Sequence, residues 1–421
     1  MNVDPDYSAA YVTLDVEGDW PAGYGLTFTI GRGNDVVALA VQALSGHVVG
    51  RTVGEIEDDL AGFSRSLTGD TQLRWLGPEK GVVQLAAAAI VNAVWDLLAR
   101  LHERPLWRFL AEMTAEELVR CIDFRYLEDA LTPAEALAIL RAQAPTRAQR
   151  IREMERDGFP AYTTSAGWIG YSDEQVARLT REALAEGFTR LKLKVGADLT
   201  SDLRRGRIMR EAMGPGRDLL IDANQAWGVD EAIAAMGRLR ELEPYWIEEP
   251  TSPDDILGHQ RIRAAIAPIR VATGEQAQNR IVFKQLFQAN AIDVCQVDAC
   301  RLAGVSEALA VLLLAAKFGV PICPHAGGVG LCELEQHLAL FDYVAVGASL
   351  EGRVCEHVDS LHEHFLDPVR IVSGRYRVPV EPGASLRMRP ASVDEYEFPQ
   401  GPYWRGAAGH GDGAAALEAG R

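Results

Sequence analysis

The chain of 421 residues carries only six cysteines, none in a C-x-x-C pair and none with a histidine at zinc-ligand spacing, which points to reduced thiols with no catalytic task. It has no uninterrupted apolar stretch of membrane-spanning length. Its N-terminus, MNVDPDYSAAY, is acidic and polar where a secretory signal is basic and then apolar, so a cytoplasmic protein is expected. Basic residues are in the minority, 42 Lys and Arg against 59 Asp and Glu. The resulting charge of −17 argues against nucleic acid or an anionic membrane as partner and leaves small anions open, because one basic pocket fits within an acidic protein. With 48% hydrophobic and 24% charged residues, the composition is that of a globular protein large enough for one big domain with a second attached.

What is present is a spacing. Lys194, Asp222, Glu248, Glu275, Asp298, His325 and Glu356 follow one another at intervals of 28, 26, 27, 23, 27 and 31 residues, by subtraction of their positions. One strand, one helix and two short loops take up about that length, so residues at this interval land at the same end of successive parallel strands. In a closed βα barrel those ends form one mouth. Each marked residue but the last closes a short apolar run, RLKLKVG, DLLIDAN, YWIEEPT, RVATGE, AIDVCQVDA or VPICPHAGG, as a buried parallel strand reads. With AYTTSAGW before them and YVAVGASL after them, eight candidate strands are available.

The predicted fold is therefore α/β, a modified (β/α)8 barrel with an α+β cap formed by the N-terminal region and the C-terminal segment. Residues 1–120 make the cap, with strands AYVTLDVEG and GLTFTIGRG and helices DVVALAVQAL and GVVQLAAAAIVNAVWDLLARLH. Residues 121–155 are a helical connector, in which Thr132-Pro133 suits an N-cap and first turn. The barrel spans 156–355 and residues 356–405 return to the cap. The Gly- and Ala-rich 406–421 are expected to be a disordered tail.

Asp222, Glu248 and Glu275, at the ends of three consecutive strands, repel one another in a shared mouth unless a cation neutralises them. An all-oxygen donor set favours a hard divalent ion, Mg²⁺ first and Mn²⁺ second. Any one of the three is more simply a surface acid or a helix cap; three in register are not. Lys192 and Lys194 alternate on one strand and share a face. Turned outward they are snorkelling surface lysines, turned inward they adjoin the acids. A second ammonium and a cation nearby then depress the basicity of one amine until it can act as a base. Asp298 and His325 form a carboxylate–imidazole pair in which one ring nitrogen is held and the other is free for acid or base work. Glu356, by position alone, is a solvated loop acid.

The motifs KLK, DANQAW, IEEPTSPDD, ATGEQ, QVDACRLAGV and PHAGGVGLCELEQH resemble the mandelate racemase branch of the enolase superfamily. More narrowly, AYTTSAGWIGYSDE, EEPTSPDDILGH and SLEGRVCEHVDSLHEHFLDPVRI resemble its L-fuconate dehydratases. The resemblance runs from Asp4 to Trp404. It implies Asp222, Glu248 and Glu275 as metal ligands, Lys194 as base, Lys192 as a contact to the substrate carboxylate, and Asp298 with His325 as a dyad. It also places Glu356, and with it Asn224, at that carboxylate. The implied activity is Mg²⁺-dependent dehydration of L-fuconate to 2-keto-3-deoxy-L-fuconate, by loss of the C2 proton and then the C3 hydroxyl. Another aldonate, or racemisation, uses the same residues, and whether Lys194 or His325 faces the C2 proton stays open. Family members carry a further strand and a lid loop ahead of the segment matched by DPDYSAAY, and this chain is expected to lack them. A lid-deficient paralogue that binds metal and carboxylate without turnover is the contrasting reading. A symmetric homo-oligomer acting on a small acid sugar is expected on general grounds.

Overall fold

The computed structural model describes residues 6–407. The tail expected at 406–421 lies outside them from residue 408 onward. The cap opens with an antiparallel hairpin, β1 (Ser8–Leu14) and β2 (Gly23–Thr29), paired from Ser8 with Thr29 to Leu14 with Gly23. It lies on the helices Asn34–Leu44 and Gly81–Leu101. Close approach is possible because β2 presents glycine to a run of alanines: a Cβ on Gly25 would stand 2.2 Å from the carbonyl oxygen of Ala89. Helix Gly81–Leu101 corrects one expectation, since by length and composition it could cross a membrane. Val83 to Ala99 are instead all buried, between the hairpin and the barrel helix Val305–Phe318.

The connector carries the helices Pro133–Gln143 and Arg147–Asp157, the first started by a capping box in which Thr132 accepts from Glu135 N and Glu135 from Thr132 N. The barrel then follows with parallel strands β3 (Phe159–Gly167), β4 (Arg190–Lys194), β5 (Asp218–Asp222), β6 (Pro244–Glu248), β7 (Arg270–Thr273) and β8 (Val294–Cys295) in sequential order. Residues 321–325 form the next stave through Cys323 N to Cys295 O at 2.9 Å and His325 N to Val297 O at 3.0 Å. β9 (Cys355–His357) closes the ring by pairing Ala161, Tyr162 and Thr163 of β3 with Cys355, Glu356 and His357. The interior is plugged by a layer that includes Tyr162, Leu220, Trp246 and Val294, with Tyr162 edge-on to Trp246 at 5.8 Å.

The eighth strand is thus not YVAVGASL. Asp342–Gly347 continues the helix Leu331–Phe341 as a π-helical turn, held by Arg150 Nε to Val344 O at 2.9 Å and by Asp342 paired with Arg353. Residues 342–346 are buried all round, so an apolar run there carries no period to separate helix from strand. The C-terminal segment returns to the cap, with Ala384 N donating to Asp96 Oδ1 and Met388 N to the Tyr11 hydroxyl. It also adds a short hairpin, β10 (Ile371–Val372) and β11 (Arg375–Tyr376), whose second strand pairs antiparallel with the start of β3.

His337 sits where the barrel helix, the cap and this segment meet. Its Nδ1 accepts from Trp107 N at 3.1 Å and its Nε2 lies 3.1 Å from Ser385 Oγ. Burial holds its pKa down at about 3. A histidine lowered in the folded state contributes stability that is complete above its unfolded pKa of about 6.5 and is lost as pH falls toward 3. Between pH 6.5 and pH 5 this one group withdraws about 2 kcal/mol. Urea unfolding of His337→Gln at the two pH values should show an acid loss smaller by about that amount than in the parent chain; equal losses would remove His337 from this role.

Candidate active site and metal centre

The mouth at the C-terminal ends of the strands gathers every residue singled out by the spacing. Across it the order is Lys192 and Lys194 on β4, Asp222 closing β5, Glu248 closing β6, Glu275 two residues beyond β7, Asp298 beyond β8, His325 on the following stave and Glu356 on β9. Asp222, Glu248 and Glu275 each offer a carboxylate oxygen within 4.8 Å of the others, and all three are buried. Glu248 Oε2 is buried without a hydrogen-bond partner among the described residues. Three hard oxygens from three strands, one of them unsatisfied, fit a divalent cation completed by water and substrate oxygens.

Lys192 is 1% exposed and serves as the counter-ion of the site, with Nζ 2.9 Å from Glu248, 2.8 Å from Glu356 and 3.4 Å from Asp222. Lys194 Nζ donates to Asp222 Oδ2 at 2.5 Å and to Asn224 Oδ1 at 3.0 Å. The depressed amine basicity expected from sequence supposes a cation beside the amines; with the protein's own groups alone the balance runs the other way. Burial disfavours the charged form of each lysine, but Asp222 beside Lys194, and Glu248 with Glu356 beside Lys192, outweigh it and hold both amines above the ordinary value. Only the Lys192 charge pushes Lys194 the other way among its neighbours. Asn224 lies past the end of β5 in a left-handed turn, φ 41°, its backbone N–H bonded to Asp222 Oδ1 at 2.8 Å.

On the other flank, His325 Nδ1 lies 2.9 Å from Asp298 Oδ2, and Asp298 Oδ1 accepts from the N–H groups of Cys300 and Arg301 at 2.7 and 3.1 Å. His325 Nε2 faces Glu275 at 3.5 Å and Glu356 at 3.9 Å. Burial opposes its charge, yet Glu275 and Asp298 raise its pKa to about 10. Glu356 is not a loop acid. It is 2% exposed in β9, accepts from Lys192 and from Ala326 N, and is held down at about 2 because Lys192 and His325 outweigh its burial. An eighth strand placed one element too early accounts for that misreading.

Three contributions escaped the spacing argument. Glu249, fully buried behind the acids, is held by both oxygens to Gln225 Nε2 at 3.0 Å, and burial with Glu275 nearby pushes its pKa well above the usual carboxylate range. The doubled acid in IEEP was the available signal. Arg301 bonds through Nε to the Glu275 carbonyl at 3.2 Å. The cap supplies Tyr7, Phe28 and Ile30 to the wall of the cavity, whose volume is about 290 Å³ and which Lys192, Lys194, Glu275, His325 and Glu356 also line. No interval in the chain announces those three.

The N-terminal domain described for mandelate racemase and muconate lactonizing enzyme matches residues 1–111, and the enolase C-terminal domain-like family matches 175–392. An L-galactonate dehydratase of Hypocrea jecorina is 53% identical over 95% of this chain and 89% of its own length. The crystal structure of human mitochondrial enolase superfamily member 1 superposes with a TM-score of 0.95 at 53% identity, covering 96% of this chain and 92% of that one. A crystal structure of an L-talarate/galactarate dehydratase mutant, liganded with Mg and L-glucarate, matches with a TM-score of 0.67 at 25% identity over 88% of this chain and 79% of that one. The chain belongs to the enolase superfamily, in its mandelate racemase branch. Within that branch it falls among the acid-sugar dehydratases and cycloisomerases.

Glu248, which burial and Asp222 raise to about 8, is protonated at neutral pH while no cation is bound. A cation must displace that proton, so binding weakens as pH falls below about 8 and releases about one proton near pH 7. Calorimetric titration of Mg²⁺ in buffers of different ionisation enthalpy reads the proton directly. Saturation at about 100 times Kd should raise stability by about 2.7 kcal/mol, an increment that Glu248→Gln sharply reduces; an unchanged increment would take Glu248 out of the ligand set.

Proposed function

We propose that this chain is a Mg²⁺-dependent hydro-lyase acting on an aldonate of L-galacto configuration, with L-fuconate the first candidate and L-galactonate the second. The observation that carries the reaction type is the pairing of a buried lysine and a buried, Asp298-held histidine on opposite flanks of one carboxylate triad. The substrate class is supported by the 53% identical L-galactonate dehydratase. L-fuconate is 6-deoxy-L-galactonate, so the two acids present the same C2 to C5 stereochemistry and differ at C6.

When bound by Asp222, Glu248 and Glu275, Mg²⁺ supplies positive charge at the substrate carboxylate, where a second negative charge develops once the C2 proton leaves. Lys192 sits deepest, among Glu248, Glu356 and Asp222, and adds a fixed ammonium at that end of the cavity. Asn224 orients the carboxylate, and Glu356, an acceptor only, does so through the Lys192 ammonium that it holds at 2.8 Å. Lys194 Nζ takes the C2 proton. It acts as a base when Asp222 no longer serves as its counter-ion, because the neighbouring Lys192 then disfavours a second ammonium. The electron pair left at C2 becomes the C2=C3 double bond as the C3–O bond breaks. His325 donates a proton from Nε2 to the departing hydroxyl, which leaves as water, and Asp298 holds the ring through Nδ1. The resulting enol tautomerises to a 2-keto-3-deoxy acid.

Incubation with Mg²⁺ and a panel of aldonates, with 2-keto acid trapped as its semicarbazone, should give product from L-fuconate and L-galactonate. No product from any sugar, in protein that binds Mg²⁺ normally, would leave a cation and carboxylate binder. Lys194→Ala should abolish exchange of the C2 proton with solvent deuterium while metal binding stays nearly intact. His325→Asn should keep exchange and lower dehydration by at least about 10²-fold, the ordinary contribution of a positioned acid. Exchange lost in His325→Asn and kept in Lys194→Ala would reverse the two roles.

A further inference from the structure

Behind the wall of the mouth a second set of ligating side chains converges. Cys332 lies in the first turn of helix Leu331–Phe341, His357 lies in β9, and His362 opens the short turn His362–His364. They bring a sulfur and two ring nitrogens within 4.8 Å of one another. Thiol and imidazole are the donors preferred by zinc and its neighbours, unlike the oxygen set of the mouth. The His357 ring is packed between those of Phe188 and His362, at 6.0 and 5.4 Å, and two further observations point to a ligand. His357 is nine-tenths buried, and its Nδ1 has no hydrogen-bond partner among the described residues. His362 holds Nδ1 at 2.8 Å from the buried carboxylate of Glu333, the arrangement that orients a metal-binding imidazole and presents its other nitrogen. That other nitrogen, Nε2, rests 2.7 Å from the carbonyl of Val358, a neutral acceptor that can be exchanged for an ion. The side chain of His362 is 20% exposed and provides a path from solvent.

We propose that Cys332, His357 and His362 form a second cation site, for an ion of the zinc class, with water in the remaining position. Binding removes the thiol proton of Cys332 and the Nε2 proton of His362, so two protons are released for each ion bound. Bonds from the ion to Sγ and to Nε2 replace the contacts of Sγ with Ala326 O at 3.4 Å and of Nε2 with Val358 O. The first of these leads into the mouth, because Ala326 N donates to Glu356 Oε2 at 2.9 Å and His357 is the residue after Glu356. An ion that draws Cys332 away from Ala326 therefore displaces the acid that orients the substrate carboxylate, and inhibits from outside the cavity. The inhibition rests on the function proposed above; the binding does not.

Co²⁺ titrated into the Mg²⁺-saturated protein reads the site without turnover, through the near-ultraviolet thiolate-to-cobalt charge-transfer band. Wild type and Glu248→Gln, which lacks one ligand of the other centre, should both show the band at one equivalent. Cys332→Ser and His357→Asn should lose it, and Glu333→Gln should weaken binding by about 10–100-fold. No band in the wild type, a band that persists in Cys332→Ser or in His357→Asn, or one that vanishes in Glu248→Gln would each overturn the proposal.

Discussion

Four carboxylates, two lysines and one histidine share a buried mouth, and their mutual charge is the constraint on which the rest depends. Four carboxyl groups this close cannot all ionise beside Lys192, Lys194 and His325, so burial and Asp222 hold a proton on Glu248, and its Oε2, unpartnered among the described residues, marks the deficit. A divalent cation resolves that deficit. Asp222 is the one carboxylate within hydrogen-bond reach of Lys194 among the described residues, so under the function proposed above a cation held by Asp222 would also release the amine to act as base.

The scaffold is built to keep these groups converging. Parallel strands set the residues at one end, and the layer of Tyr162, Leu220, Trp246 and Val294 fills the barrel beneath them. The cap is fastened above by buried polar contacts that are costly to break singly. Arg280 of the barrel lies 2.6 Å from Glu79 of the cap and 3.0 Å from Glu307, and Trp95 Nε1 donates to Ser306 Oγ at 2.9 Å. Phe28 of the hairpin rests against the loop that follows His325, where a Cβ on Gly328 would come within 2.5 Å of its ring. Glycine there lets the cap close over the loop, and it explains why Tyr7, Phe28 and Ile30 reach the cavity from a domain that holds none of the charged groups.

Most of the mouth was legible because its logic is periodic. Lys194, Asp222, Glu248, Glu275, Asp298 and His325 each close an apolar run, and a barrel converts equal spacing into proximity. Glu356 broke the pattern, since its strand is only the three residues Cys355–His357 while the longer apolar run before it is helical and buried on every side. Lysine basicity is less legible for another reason: sequence shows which charges are near, while the 2.5 Å contact of Lys194 with Asp222 decides which of the protein's own groups prevails. Cys332, His357 and His362 are 25 and 5 residues apart by subtraction, a spacing that matches no ligand motif, and they meet because β9 lies beside the helix that begins at Leu331. The residues of the cap that face the cavity are ordinary apolar and aromatic side chains, distinguished by where the hairpin sits and by nothing in their order.

The account stands on three acids from neighbouring strands holding one hard cation. Anomalous diffraction from crystals grown with Mn²⁺ in place of Mg²⁺ tests this most directly. A single strong peak with oxygens of Asp222, Glu248 and Glu275 as its protein ligands, at about 2.0–2.2 Å, is the predicted result. A mouth without a peak in crystals that bind Mn²⁺, or an occupied mouth in which any of the three acids turns away, would contradict it.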